Sequence, residues 1–251
     1  MKRYVGLLSE INDLRQRNQT DVDAYIKIAK RYEGKILELG SGSGNISIGL
    51  AKEGYEVTCL EIHRDMIHLH EEKLNESIAD NTTLVLGDMC SFDLEEKFDL
   101  IIAANNVVNS IKTSDDMILM LSSVKKHLSD VGVFVIECDY PNMEEMKEKD
   151  AVEVITFFEN PRSQMNVENK VTPKYNFKTL TRQDKIVITE FKNDRIKRRI
   201  QVIKDYKIWL PEELEELFKS EQMHVMLESG NIHNIEPINK QSKHMVFFLK
   251  K

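Results

Sequence analysis

Residues 36 to 45, Ile-Leu-Glu-Leu-Gly-Ser-Gly-Ser-Gly-Asn, deliver an acidic side chain straight from a short apolar run into a triple-glycine turn. Glycines allow tight and left-handed backbone and let a ligand approach without meeting a Cβ. Gly40, Gly42 and Gly44 supply that room. The following stretch, 45–52, carries apolar residues at 46, 48, 50 and 51, a spacing that suits a short helix packed on a sheet. The reading is strand, glycine turn, helix, a layout that binds a nucleoside-bearing cofactor.

A dinucleotide fingerprint requires Gly-x-Gly-x-x-Gly. Counting from Gly40 puts Asn45 at the third site and counting from Gly42 puts Ser47 there, so neither register completes it. Glu38, just ahead of the first glycine, would set a negative charge against a pyrophosphate. It suits a cofactor carrying positive charge. The run from Glu38 to Gly44 resembles the first motif of the class I S-adenosylmethionine-dependent methyltransferases, small-molecule type, whose cofactor bears a sulfonium and an amino group. The resemblance implies a doubly wound α/β fold with a mostly parallel seven-stranded, Rossmann-like sheet, and S-adenosyl-L-methionine as cofactor.

Later segments follow the same family order. Residues 55–60 read as a second strand ending in Glu61, and 83–86 as a third, followed by Gly87, Asp88 and Met89. The family implies that Glu61 accepts from the ribose hydroxyls, that Ile62 packs on the adenine, and that Asp88 accepts from its amino group beside Met89. Residues 98–104 form a buried fourth strand by their apolar run, and a fifth strand, 131–137, follows a helix over about 115–128. Cofactor contacts are thus expected from Glu38, Gly40, Ser41, Gly42, Gly44, Glu61, Ile62, Asp88, Met89, Ala104 and Asn105. The family's acceptor pocket falls at 105–110, where Asn106 and Ser110 are the catalytic candidates, joined by Tyr4 if the N-terminal segment folds over. Many small-molecule members place a histidine here; this chain has Ser110 preceded by Asn109. Asn105, Asn106, Asn109 and Ser110 can hydrogen-bond an amine, which favours nitrogen over oxygen as the methyl acceptor, or they can cap the next helix.

The chain divides into an N-terminal helical lid (1–33), a cofactor-binding core (34–140), an antiparallel insertion over the acceptor pocket (141–209) and a completion of the core (210–251). In the insertion, 172–209 reads as strands rather than helix, with 185–191 and 199–203 alternating around a turn at Asn193 and Asp194. Pro211 opens a helix, and 224–228 and 244–249 supply the last strands. No run of about 18 apolar residues appears, so neither membrane span nor signal peptide is expected, and the protein is placed in the cytoplasm. Cys59, Cys90 and Cys138 lack disulfide or zinc spacing and read as ordinary thiols. His63, His68 and His70 are expected at the surface, with no metal site.

A net charge of −7 disfavours general nucleic-acid binding. The segment 182–207 is nevertheless rich in basic residues, including Arg195, Lys197, Arg198 and Arg199. A solvated hairpin face accounts for them, and an RNA methyltransferase using the patch is the alternative. A cofactor-binding protein without transferase activity is another, and a nicotinamide-dependent enzyme a distant third. Neither the Pro-Pro-aromatic signature of base-amine methylation, nor a Pro-Cys nucleophile, nor the paired-glutamate loop of arginine methyltransferases is present. The expected acceptor is therefore a small molecule.

Overall fold

Four apolar segments build the centre of a seven-stranded sheet: β1 (Ile36–Leu39), β2 (Val57–Glu61), β4 (Phe98–Ala103) and β5 (Leu128–Asp139). Every residue of β1 is buried, the signature of a strand covered on both faces. With β3 (Thr82–Leu86), β10 (His224–Ser229) and β11 (His244–Lys250) the spatial order is β10-β11-β5-β4-β1-β2-β3. Strands β1 to β5 pair in parallel, while β11 runs antiparallel to both β5 and β10. The sheet is thus the doubly wound type expected, with the antiparallel edge at its C-terminal strands. The computed structural model describes residues 6–15, 19–193 and 195–251, so the expectations for Tyr4 and Asp194 lie outside the described residues.

Helices cover both faces, with α4 (Arg64–Glu71) and the short α5 (Glu76–Ala79) set beside β3. On one side, α2 (Gln19–Ala29) and α3 (Asn45–Lys52) pack Tyr25, Ile28, Ile46 and Leu50 against Ile36, Leu100 and Val133. On the other, α6 (Ser114–His127) and α8 (Pro211–Ser220) bury Met117, Leu121, Leu214 and Phe218 with Phe134 and Phe247. Thr113 starts α6 by accepting from the Asp116 amide at 3.1 Å, and Pro211 stands in the first turn of α8, where its missing N–H costs nothing. The fifth strand begins three residues before the expected start because the chain leaves α6 at Leu128 already extended.

The insertion is larger than a hairpin. Strands β6 (Val154–Asn160), β7 (Met165–Asn176), β8 (Thr181–Lys192) and β9 (Arg195–Lys207) form one antiparallel sheet in that order. Strand alternation gives it one inward face, on which Val171, Ile186 and Val202 pack upon Leu7, Leu8 and Ile11 of α1 (Leu7–Arg15). Continuing along that face, Tyr175, Arg182 and Tyr206 stand opposite one another at the far end. A short helix, α7 (Met143–Lys149), joins β5 to this sheet, with Asn142 accepting from the amides of Glu144 and Glu145.

Candidate functional site

A cleft of about 980 Å³ opens at the carboxyl ends of β1 to β4, where ligands bind in open α/β sheets. The glycine turn forms its floor. Gly40, Gly42 and Gly44 all have positive φ, at 65°, 58° and 84°. A Cβ on Gly40 would lie 2.2 Å from a Val107 methyl, and one on Gly44 2.2 Å from the His70 ring. The turn is sewn to β2 by the Gly40 and Ser41 amides, which donate to Leu60 O at 2.7 and 3.1 Å.

Three acids stand at successive strand ends. Glu38 is buried and accepts from the Ser47 amide at 3.0 Å. Burial above all, with a smaller push from the nearby Glu61 charge, outweighs the lowering effect of the Ser47 hydrogen bonds and brings its carboxyl up to about 8. Glu61 accepts from the Gly42 amide at 2.9 Å and from the amide and ring of His63 at 2.8 and 2.7 Å. A carboxylate offers about four acceptor positions, so Glu61 retains capacity for a ligand hydroxyl. Asp88 has one oxygen on the Cys90 amide at 2.9 Å. Between these acids Ile62 leaves 41 % of its surface open on the cleft wall. Ser41 Oγ is buried there without a partner. This lining fits a ligand with a cationic head, vicinal hydroxyls and a flat apolar ring.

The second half of the cleft follows β4. Asn105 and Asn106 adopt consecutive left-handed conformations, φ 52° and 60°, which asparagine tolerates better than most residues. That turn points the Asn105 amide at Glu137 Oε2, 3.1 Å away, and leaves Asn106 Oδ1 buried without a partner. The 3-10 turn Val107–Ser110 follows, in which the Ser110 hydroxyl donates to Val107 O at 2.6 Å. Asn109 is buried and donates to Lys207 O at 2.9 Å, tying the turn to the insertion. Neither Asn106 nor Ser110 caps a following helix; Thr113 does that. Opposite stand Tyr175, Arg182, Lys204 and Tyr206, with the Arg182 guanidinium 4.5 Å from the Tyr206 ring centre. Burial holds the Lys204 ammonium down at about 8.

All the proposed cofactor residues except Gly44 line this one cleft, as do Asn106 and Ser110. Gly44 instead faces His70. That histidine corrects one expectation: it is wholly buried, not at the surface, and burial lowers it to about 4, so it packs as a neutral ring beneath the glycine turn. His68 is exposed and His63 is held by Glu61. Among the described residues no three His, Cys, Asp or Glu side chains gather as a metal site, and the three cysteines are unpaired. No helix is long and apolar enough to cross a membrane.

The basic segment also divides in a way the sequence does not reveal. Arg198 pairs with Glu10 at 2.9 Å and with buried Glu190, whereas Arg195, Lys197 and Arg199 are exposed. Sequence reading missed Tyr25, Glu137, Tyr175, Arg182, Tyr206 and His244 as site residues. Their signal is positional, since they come from six different elements and share no local motif.

Residues 36–132 match a family model described as a methyltransferase domain. YqeM of Bacillus subtilis (strain 168), named as a methyltransferase, is 27 % identical over 136 residues, 53 % of this chain and 54 % of that protein. A Streptomyces venezuelae protein, dTDP-3-amino-3,4,6-trideoxy-alpha-D-glucopyranose N,N-dimethyltransferase, is 26 % identical over 136 residues, 54 % of this chain and 51 % of its own. The chain thus matches about half the length of these curated relatives. Among solved structures, an S-adenosylmethionine-dependent methyltransferase from Clostridium acetobutylicum ATCC 824 superposes with a TM-score of 0.78 at 17 % identity, covering 92 % of this chain and 91 % of that one.

Proposed function

We propose that this chain, which carries a methyltransferase domain of the class I S-adenosylmethionine-dependent type, transfers a methyl group to the nitrogen of a small-molecule amine. The observation that carries the reading is the single cleft in which Glu38, Glu61 and Asp88 line one half and the Asn105–Asn106 turn faces the insertion in the other. Glu38 would hold the cationic amino end of the cofactor, Glu61 its ribose, and Ile62, Asp88 and Met89 its adenine; Gly40, Ser41, Gly42, Ala104 and Asn105 complete the cradle. The cofactor supplies an electrophilic methyl on a sulfonium. The protein's task is then to hold the acceptor lone pair in line with it and exclude water.

Nitrogen is favoured because the acceptor half offers oxygen acceptors, the buried Asn106 Oδ1 and the carboxylate of Asp139, which suit N–H groups. The N,N-dimethyltransferase name of the Streptomyces venezuelae relative agrees with this choice. We assign Asn106 to acceptor positioning. Ser110 is given a supporting role only, since its hydroxyl already donates to the Val107 carbonyl oxygen. The domain division proposed is a helical lid (1–33), a cofactor-binding core (34–140), the insertion (141–209) as cover of the acceptor half and a completion of the core (210–251). The three free cysteines fit a cytoplasmic setting.

The test is calorimetric titration with S-adenosylmethionine and S-adenosylhomocysteine, with NADH as control, followed by labelled-methyl transfer to a panel of amino sugars and amino acids. Saturable binding of the sulfur compounds alone, with label appearing on an amine, supports the proposal. NADH binding, or cofactor binding without transfer to any amine of the panel, would sink it.

A further inference from the structure

The position where many small-molecule methyltransferases carry a histidine is occupied by Ser110, whose hydroxyl is already held by Val107. An imidazole nonetheless lines the same half of the cleft, supplied by a strand distant in sequence. His244 opens β11 directly opposite Asp139 of β5. Its Nδ1 is shielded from solvent, has no hydrogen-bond partner, and lies 3.6 Å from Glu137 Oε1 and 3.9 Å from Asp139 Oδ1. The side chain as a whole is 37 % exposed, so the accessible edge of the ring is the one bearing Nε2. Glu137 is fixed in place: its other oxygen accepts from the Tyr25 hydroxyl at 2.7 Å and from the Asn105 amide at 3.1 Å. One carboxylate therefore stands between His244 and the Asn105 turn after β4.

We propose that His244, oriented by Glu137, takes the proton from the acceptor's ammonium group. The proposal rests on reading the cleft as an amine-methylating site. An amine at neutral pH arrives largely protonated and has no lone pair to offer. In the step inferred, an N–H bond of the ammonium breaks, its electron pair stays on nitrogen, and the proton moves to His244 Nε2. That lone pair then forms the N–C bond while the C–S bond breaks and its electrons return to sulfur. The imidazolium finally passes its proton to solvent.

The surroundings of the ring suit this role. Glu137 and Asp139 face Nδ1 from β5, favouring the tautomer with its proton there and balancing the charge the ring gains. Arg182 of β8 stands 3.9 Å from the Asp139 carboxylate, and Lys243 precedes His244 on the cleft wall. A separation of 3.6 Å exceeds a hydrogen bond, and such catalytic contacts commonly shorten when substrate binds.

Histidine-nitrogen NMR on labelled protein tests the arrangement without any ligand. The neutral ring of His244 is expected to carry its proton on Nδ1, and Glu137→Gln to abolish that preference. A neutral ring protonated on Nε2 in the wild type overturns the proposal. As a second variant, His244→Gln is expected to bind S-adenosylhomocysteine as the wild type does. Its transfer to an amine returned by the panel should fall about 100-fold at neutral pH and recover at alkaline pH, where the acceptor loses its own proton. An equal loss at every pH would instead mean that the histidine is structural. Failure of the wild type to bind S-adenosylhomocysteine at all would count against the methyltransferase reading and leave the NMR result to judge the dyad.

Discussion

The Tyr25 hydroxyl donates to Glu137 Oε2 at 2.7 Å, joining α2 to β5 through two buried side chains. Burial first, then the Glu137 charge, raises the tyrosine well above its ordinary range, so it keeps its proton and remains a donor throughout neutral pH. Tyr25→Phe is expected to cost about 1.5 to 3 kcal/mol, the worth of a hydrogen bond to a charged acceptor. Chemical denaturation of the variant at several neutral pH values checks this, and a loss under 0.5 kcal/mol would show the pair to be incidental.

Glu38 should make cofactor affinity depend on pH. The folded carboxyl titrates at about 8, against roughly 4.3 in an unfolded chain. Between those values the native state holds one more proton, so this group's contribution to stability falls as pH rises and is fully lost above the folded value. A cationic ligand reverses the preference by favouring the carboxylate. S-adenosylmethionine binding is therefore expected to release a proton and to strengthen from pH 6 to pH 8, by up to about tenfold per unit. Calorimetry in buffers of different ionisation heat measures the proton, and Glu38→Gln should remove its release.

Gly40 meets two constraints at once, a left-handed backbone and the Val107 methyl group. Gly40→Ala is expected to lower stability by about 2 to 4 kcal/mol and to weaken cofactor binding by displacing the 3-10 turn. Thermal melting and titration with S-adenosylhomocysteine report the two effects separately. Gly42→Val, at another left-handed position, should abolish cofactor binding; normal binding would mean that the site is misplaced.

The exposed and paired cations of β9 should behave differently. Replacing Arg195, Lys197 and Arg199 together with Glu is expected to leave cofactor binding and amine methylation within twofold of wild type. Arg198→Met removes the cation beside buried Glu190 and should cost about 1 to 3 kcal/mol of stability. If the triple variant instead loses methylation of RNA while keeping that of amines, the basic face has a nucleic-acid role.

The half of the cleft proposed for the cofactor was legible in sequence because its acids sit at or just beyond the end of a strand in a short motif. Glu38, Glu61 and Asp88 need only local spacing to be found. The acceptor half was not, because register rather than motif assembles it: Tyr175, Arg182 and Tyr206 meet across three paired strands. Strand β7 was read only from residue 172 onward, since its first half, Met-Asn-Val-Glu-Asn-Lys-Val, mixes polar side chains into the alternation. His70 was misplaced because an imidazole followed directly by Glu71, Glu72 and Lys73 reads as solvated, whereas the glycine turn above it accounts for its burial.

The inward face of the insertion sheet performs two tasks along one direction of its strands. Near α1 it is aliphatic, with Val171, Ile186 and Val202; toward the cleft it is aromatic and charged, with Tyr175, Arg182 and Tyr206. Because the two regions occupy different rungs of the same ladder, a change in one leaves the other's pairing untouched. If the cleft-side rungs contact the acceptor as proposed, substitutions there would exchange one acceptor for another, while the aliphatic rungs keep the cover anchored to α1.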